Sequence, residues 1–307
     1  MKKLILLAGA ITISLAALAQ DAVVDTSWKK GGIISLNFTQ VSLSNWAAGG
    51  QNSIAGMGLF NYFANYKKGD DSWDNNIDLA YGLTQNGNDK PIKSEDKIDL
   101  ATKYGRLAFK NWYYSALLGF RSQFSEGFNY PNDSDKISNF LAPAYFTIAL
   151  GMDYKPNDNF SLLMAPITGR IIVVNDDDLA DEGAFGVDPA EYDLLGVKVK
   201  DGENIRYEFG TLIKAVYKKD ILENVNFQTK LELFCNYLED PQNVDVNWEI
   251  LIAMKVNKYI TANLSTQLIY DDNTIIEVDK NDDGVIEEKG PRTQFKEVLG
   301  VGLAYKF

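Results

Sequence analysis

WDNNIDLAYGLT, residues 73–84, decides how this chain folds. Trp73, Ile77, Leu79, Tyr81 and Leu83 fall on one parity, and Asp74, Asn76, Asp78, Ala80 and Thr84 on the other. Successive side chains of a strand point to opposite faces, so this segment reads as a strand with one apolar and one polar side. A helix would need its apolar residues three and four positions apart, and that period is not sustained here or anywhere from Ile33 to Phe307.

Outward from this stretch the alternation recurs. Trp112, Tyr114, Ala116, Leu118, Phe120 and Phe124 oppose Ser115, Gly119, Arg121 and Gln123. Val225, Phe227, Leu231, Leu233, Cys235 and Tyr237 oppose Asn226, Gln228, Lys230, Glu232 and Asn236, and Val246 to Val256 repeat the pattern against Asn247, Glu249, Lys255 and Asn257. Segmented this way the chain holds about twelve strands, near residues 33–43, 52–67, 73–85, 97–108, 112–124, 138–154, 159–174, 204–217, 224–238, 244–257, 260–271 and 294–307. Most reach the ~9–11 residues that cross a bilayer at a tilt. Residues 52–67 leave the facing open, because Ile54, Phe60 and Tyr62 share one parity and Met57, Leu59 and Phe63 the other.

Soluble barrels and sandwiches alternate too, so the connections carry the decision. Residues 44–51, 86–96, 125–137, 175–203 and 272–293 are long, with 239–243 short among them. Between them lie tight links at Lys68–Ser72, Phe109–Asn111, Lys155–Asp158, Lys218–Glu223 and Lys258–Tyr259. This plan predicts an all-β fold: an antiparallel up-and-down transmembrane β-barrel of about twelve strands, with short periplasmic turns and long extracellular loops. Tyr66, Trp73, Trp112, Tyr154, Phe160, Tyr217 and Tyr259 would form an interfacial girdle on the short-turn side. Leu299, Val301, Leu303, Tyr305 and Phe307 alternate to the final residue. That ending resembles the signal by which the barrel-assembly machinery recognises its clients, which makes that machinery a partner during biogenesis.

MKKLILLAGAITISLAALAQ opens the chain with Lys2 and Lys3, an apolar run from Leu4 to Leu15 and the small-residue site Ala17-Leu18-Ala19. It reads as a secretory signal over residues 1–19. A short periplasmic segment would follow over 20–32, then the barrel over 33–307. The expected location is the cell outer membrane, with its lipid as surroundings and other outer-membrane proteins as candidate partners. Acids outnumber bases 42 to 30, net −12. Nucleic-acid binding is disfavoured on that balance, since a binder neutralises phosphates with Lys and Arg. The chain has no histidine, which removes His-based triads and His-ligated zinc, and a single cysteine, Cys235, which removes an intrachain disulfide framework.

Asn45-Trp46-Ala47-Ala48-Gly49-Gly50-Gln51-Asn52-Ser53 is the most distinctive segment. Its glycines permit a close backbone approach or positive φ, and its Asn and Ser residues can hydrogen-bond the turn. With Trp28-Lys29-Lys30-Gly31-Gly32 ahead of it, the chain after the signal resembles an uncharacterised family of Bacteroidota outer-membrane barrels. That family carries N-W-x-x-G-G-x-N-S after its first strand. The resemblance implies location and fold, and brings no activity with it. Asn45, Trp46, Gly49, Gly50 and Asn52 are either a loop anchor at the barrel mouth or a partner-binding surface.

Asp279-Lys280-Asn281-Asp282-Asp283-Gly284-Val285-Ile286-Glu287 matches the opening of a calcium loop. Oxygen ligands stand at positions 1, 3 and 5 and Gly at 6. Position 12 is Gly290 where an EF-hand has its bidentate Glu. Asp279, Asn281, Asp283 and Glu287 are thus the candidate ligands for calcium, the one cofactor the sequence admits; the alternative is an acidic, hydrated turn. Asn175 to Asp188 hold a second acidic cluster, read as hydrated loop rather than as a hydrolytic carboxylate pair.

The polar parity of the strands carries Asp74, Asp78, Arg121, Arg206, Glu208, Lys214, Lys230, Glu232, Glu249, Lys255 and Lys296. In a barrel these face the lumen, where mixed signs either pair and plug it or line a narrow channel. No catalytic residue is assigned. Twelve-stranded outer-membrane phospholipases and aspartyl-type barrel proteases use a histidine that this chain lacks. The sequence therefore points to a non-enzymatic structural or interaction protein acting through its extracellular loops, with a narrow channel for small polar solutes as the alternative.

Overall fold

The computed structural model describes residues 27–44, 51–130, 132–278 and 288–307. Among them twelve antiparallel strands close into a barrel in which each strand pairs with the next and the last with the first. They are β1 (Trp28–Val41), β2 (Ser53–Lys68), β3 (Asp71–Asn86), β4 (Ile92–Phe109), β5 (Trp112–Ser122), β6 (Ala144–Asn157), β7 (Phe160–Val173), β8 (Ile205–Leu222), β9 (Val225–Asn236), β10 (Asp245–Lys255), β11 (Ile260–Tyr270) and β12 (Gln294–Lys306). Strands of 11–18 residues exceed the ~9–11 that a tilted bilayer crossing needs. The expected number of strands and the long–short order of connections both hold.

The alternation has the predicted sense. Leu36, Phe38, Leu118, Ile148, Leu299 and Leu303 are exposed on the outer wall, while Ser35, Asn37, Asp99, Ser115 and Asp153 are buried inside. For β2 the ladder settles what the parity left open. Met57 and Leu59 stand opposite Asn37 and Ser35 and so face the lumen, whereas Ile54, Phe60 and Tyr62 face out. Both parities are apolar there because Met57 and Leu59 fill an interior sector.

β1 starts at Trp28 rather than at residue 33. Trp28 to Gly32 pair with Tyr66 to Tyr62, so part of the segment expected ahead of the barrel belongs to its wall. Gly31 and Gly32 hid this by interrupting the apolar pattern. Their missing side chains are functional in packing: a Cβ on Gly32 would collide with the Phe307 ring. Aromatic rings gather on the short-turn rim as expected, with Trp28 5.2 Å from Tyr66 and 6.1 Å from Trp73, and Trp112 4.9 Å from Tyr154. The seam that closes the barrel is short. β1 and β12 pair only from Ile33–Lys306 to Asn37–Gly302, flanked by reciprocal Gly32–Phe307 backbone bonds, while β2 and β3 share sixteen pairs.

On the long-loop rim, residues 175–203 hold a one-turn helix, α1 (Asp177–Asp181), and a ribbon pairing Glu191–Tyr192 with Lys198–Lys200. Ile275–Val278 and Glu288–Pro291 form a second ribbon.

Candidate functional site

Alternation aims alternate side chains inward, and the interior that results is a set of ion pairs in three tiers. In the middle tier Lys230 lies 3.1 Å from Asp99 and 3.9 Å from both Asp78 and Glu249. Arg121 donates to Glu232 at 2.8 Å, Lys214 pairs with Glu232, and Lys97 reaches Glu249 at 2.9 Å. Four cations meet four carboxylates there, so the tier compensates its own charge. Toward the short turns, Lys155 holds Asp74 at 2.5 Å, and Lys103 holds Asp153 at 2.5 Å. Toward the long loops, Arg170 bridges Glu208 and Asp245, and Arg206 bridges Glu208 and Glu239.

Several of these pairs cross the lumen. β4 and β10 are six strands apart either way round the barrel, yet Lys97 meets Glu249. With bonds near 1.5 Å, extended Lys and Glu side chains reach roughly 6 and 4 Å, which brings the two Cα atoms within about 14 Å. A circular barrel of twelve strands ~4.8 Å apart, tilted ~40°, would set them about 24 Å apart. The barrel is therefore flattened, and the ion pairs join its two walls. Leu117, Ala149, Leu163, Ala165, Leu212 and Phe234 pack as a dry cluster beside them. Arg170 stacks its guanidinium 4.2 Å from the Phe234 ring centre. Among these pairs a water-accessible cavity of about 190 Å³ is lined by Asp99, Arg121, Tyr145, Arg170, Glu232 and Tyr270 among others.

Residues beyond β7 fold into a cap on the long-loop rim. Val174, Leu179, Ala180 and Val187 pack with Ala142 into a small core of their own. Asp176 caps α1 through the Leu179 N–H and is held by Lys136 at 2.6 Å. Asp181 accepts from Lys198 at 2.7 Å and from the Gly202 N–H at 2.9 Å. These bonds keep the Asp181 carboxyl below its ordinary range. Burial pushes Asp176 up, but hydrogen bonds from Lys136, Asn139 and the Leu179 N–H outweigh it and leave its pKa lowered. Arg206 ties the cap to the wall by donating to the Gly186 carbonyl at 2.6 Å. The acidic cluster of this loop thus supplies staples rather than only hydrated charge. At the end of the ribbon Leu194 and Leu195 project fully into solvent, with relative exposures of 106% and 86%.

Of the expected lumen residues, Asp74, Asp78, Arg121, Arg206, Glu208, Lys214, Lys230, Glu232 and Glu249 join the tiers, and Lys296 pairs with Glu95 at 2.9 Å. Lys255 does not: it lies exposed at the short-turn end of β10 and makes no ion pair among the described residues. The alternation missed Lys97, Asp99, Lys103, Asp153, Lys155, Arg170 and Asp245. Lys97, Asp99 and Lys103 share a parity against Ile98, Leu100 and Tyr104, so that signal was readable. Arg170 was hidden, because β7 bulges at Pro166–Ile167 and its inward set changes from Leu163 and Ala165 to Thr168 and Arg170. Asn52 accepts a hydrogen bond from the Leu43 N–H at 2.6 Å, which suits a loop anchor. Asn45, Trp46, Gly49 and Gly50 lie outside the described residues, as do the calcium candidates Asp279, Asn281, Asp283 and Glu287.

A closed twelve-strand barrel with an apolar outer band and a charged interior is the architecture of outer-membrane barrel proteins. An outer membrane channel from Pseudomonas putida F1 matches with 10% identity and a TM-score of 0.38, over 94% of this chain and 100% of that one. Outer membrane phospholipase A from Escherichia coli matches with 10% identity and a TM-score of 0.35, over 94% and 96%. The translocator domain of the autotransporter NalP from Neisseria meningitidis matches with 8% identity and a TM-score of 0.31, over 98% and 95%. Within this class, residues 38–128 match the model of a family described as protein of unknown function, DUF3078. No curated protein matches the chain.

Proposed function

We propose that the protein is a non-enzymatic barrel of the outer membrane, of the Bacteroidota type its N-W-x-x-G-G-x-N-S segment resembles, that displays a folded cap for recognition by another surface component. The observation that carries this reading is the cap. It is prefolded around Val174, Leu179 and Val187, yet it leaves Leu194 and Leu195 in water at its tip. Large apolar side chains gathered at an exposed tip mark interaction surfaces, and a loop ordered in advance loses less entropy on binding. Short turns then face the periplasm and the cap faces outward.

The test is co-purification from outer membranes solubilised in mild detergent, wild type against Leu194→Asp/Leu195→Asp. A partner recovered with the wild type and lost from the variant is expected. Identical sets of companions, with the variant folded and at normal level, would refute the role of the tip.

A second reading, a narrow conduit for small polar solutes, draws on the cavity among the ion pairs. The cross-lumen pairs weigh against it, and planar bilayers distinguish the two. Very small conductance accords with a sealed barrel, whereas stable open-pore currents would promote the channel.

A further inference from the structure

We propose that the closing seam is a lateral binding cleft for the hydrocarbon tail of a membrane amphiphile, whose polar oxygen is received by Asn37. The seam forks above the Asn37–Gly302 pair. Phe38 to Val41 pair with β2, and Gln294 to Val301 include the β11-paired edge of β12, but no ladder pair joins these two stretches to each other. Elsewhere in the wall, neighbouring strands share ten to sixteen pairs. Unpaired strand edges at membrane depth are costly, and barrels close to avoid them. Continued in register the ladder would add four pairs, Phe38–Val301 to Val41–Val298, to the five present, and a seam left open over that stretch is a feature requiring an occupant.

Asn37 stands at the crotch of this fork. It is buried, at 7% exposure, and its Nδ2 has no hydrogen-bond partner among the described residues. Its Oδ1 accepts only from Ser35 at a long 3.4 Å. With the amide oriented so that its Oδ1 meets the Ser35 hydroxyl, the atom left over is the donor Nδ2. Its side chain lies over Gly300, where any Cβ would come within 2.8 Å of the amide nitrogen. A buried primary amide without an acceptor is aimed at a missing oxygen.

The surroundings specify what brings that oxygen. Outside, the fork is flanked by Leu36, Phe38, Leu299 and Val301, all exposed on the outer wall, so the adjoining medium is hydrocarbon. Inside, the residues that share the facing of Asn37 beside the fork include Ser35, Thr39, Met57, Leu59 and Val298, and the first charge further along β12 is Lys296, held by Glu95 at 2.9 Å. The middle-tier ion pairs draw on β3, β4, β5, β8, β9 and β10, and leave this sector apolar or weakly polar. An alkyl chain can thus pass from the bilayer between the strands on the Asn37 side of the Lys296–Glu95 pair, and its ester or carboxyl oxygen comes to rest at Asn37 Nδ2. A further β-strand would satisfy the edges as well, but it would have to arrive through lipid with its own backbone unpaired.

The probe is 16-doxyl-stearate added to the full-length protein in nanodiscs, read as the immobilised fraction of its electron spin resonance spectrum. The variants are Asn37→Leu and a Phe38→Cys/Val301→Cys pair placed across the fork in a Cys235→Ala background. A protein-dependent immobilised component is expected, reduced about fivefold or more by Asn37→Leu. Oxidation of the cysteine pair should abolish it and reduction restore it, which separates closure of the cleft from misfolding. An equal component in all variants, or none in the wild type, overturns the proposal. So does crosslinking of the introduced cysteines to a second polypeptide, which would assign the fork to strand addition.

Discussion

Lys230→Met removes the cation around which the middle tier is built. Lys230 faces Asp99 at 3.1 Å, and Asp78 and Glu249 at 3.9 Å each. At an effective dielectric near 20 the closest pair alone is worth about 5 kcal/mol. Desolvation of the ammonium offsets much of that in the wild type, but the variant keeps the cost of the carboxylates and loses their compensation. Asp99 would retain Arg121, at 3.9 Å, as its one ion pair among the described residues. Breaking one partner of a buried pair costs about 3–5 kcal/mol, and we expect about 3 because the cavity brings water to the tier. Adding Asp99→Asn removes the orphaned charge, so the double variant should recover to within about 1 kcal/mol of wild type. The assay is equilibrium urea unfolding from phospholipid vesicles followed by tryptophan fluorescence, run as a double-mutant cycle. Lys110→Met, in an exposed turn, serves as control and should shift stability by less than about 0.5 kcal/mol. If Lys230→Met behaves like that control, or the two substitutions simply add, the lumen charges are independently hydrated and the sealed-barrel reasoning fails.

The cap should be sensitive to acid. Asp176 and Asp181 have depressed pKa values in the folded cap, so their contribution is complete above the ordinary carboxylate range and is lost as pH falls through those lowered values. Protease cleavage within residues 175–203 should therefore stay low at pH 7 and 5 and rise only once the pH falls below the ordinary carboxylate range; cleavage that does not change with pH would contradict the staples. Asp181→Asn should reproduce the loosening at pH 7, while Asp201→Asn, which loses only a second contact of Lys198, should not. For Asp279, Asn281, Asp283 and Glu287, calcium affinity is expected near 10⁻⁴–10⁻³ M, since position 12 offers no bidentate Glu. Calorimetry at millimolar calcium on wild type and Asp279→Ala/Asp283→Ala decides it, and no difference in heat would reduce these residues to surface charge.

What the chain made legible was local. Parity within one strand is enough to say that Lys230 and Glu232 face one side and Leu231 and Leu233 the other, and it holds wherever the ladder is regular. Arg170 escaped because the bulge at Pro166–Ile167 resets the count, and Pro166 alone did not announce it. The seam escaped as well: β1 and β12 both alternate, and nothing in LNFTQV or QFKEVLG says that their ladder stops at Asn37. Partner choice in the lumen lies further beyond reach. Lys230 and Asp99 are 131 residues apart, and parity fixes a facing but neither a height along the barrel nor a strand opposite.

Yet the balance of charge was present in the sequence before any partner was. Asp74, Asp78, Glu208, Glu232 and Glu249 face Arg121, Arg206, Lys214, Lys230, Lys255 and Lys296, five acids against six bases, in a chain whose net charge is −12. An interior selected to pass ions of one sign would carry a bias, as charged rings in pores do. The residues that parity missed restore the balance, with Lys97, Lys103, Lys155 and Arg170 against Asp99, Asp153, Asp245, Glu95 (the partner of Lys296) and Glu239 (a partner of Arg206). The acidity of the chain is therefore concentrated outside the lumen, in segments such as 175–203, where like charges keep a surface loop soluble and, once paired with Lys136 and Lys198, hold it in shape. A neutral, cross-linked interior beneath a charged and partly apolar exterior is the distribution expected of a barrel whose selected surface is its rim, and it is why the cap and the seam, rather than the pore, are the places to look for function.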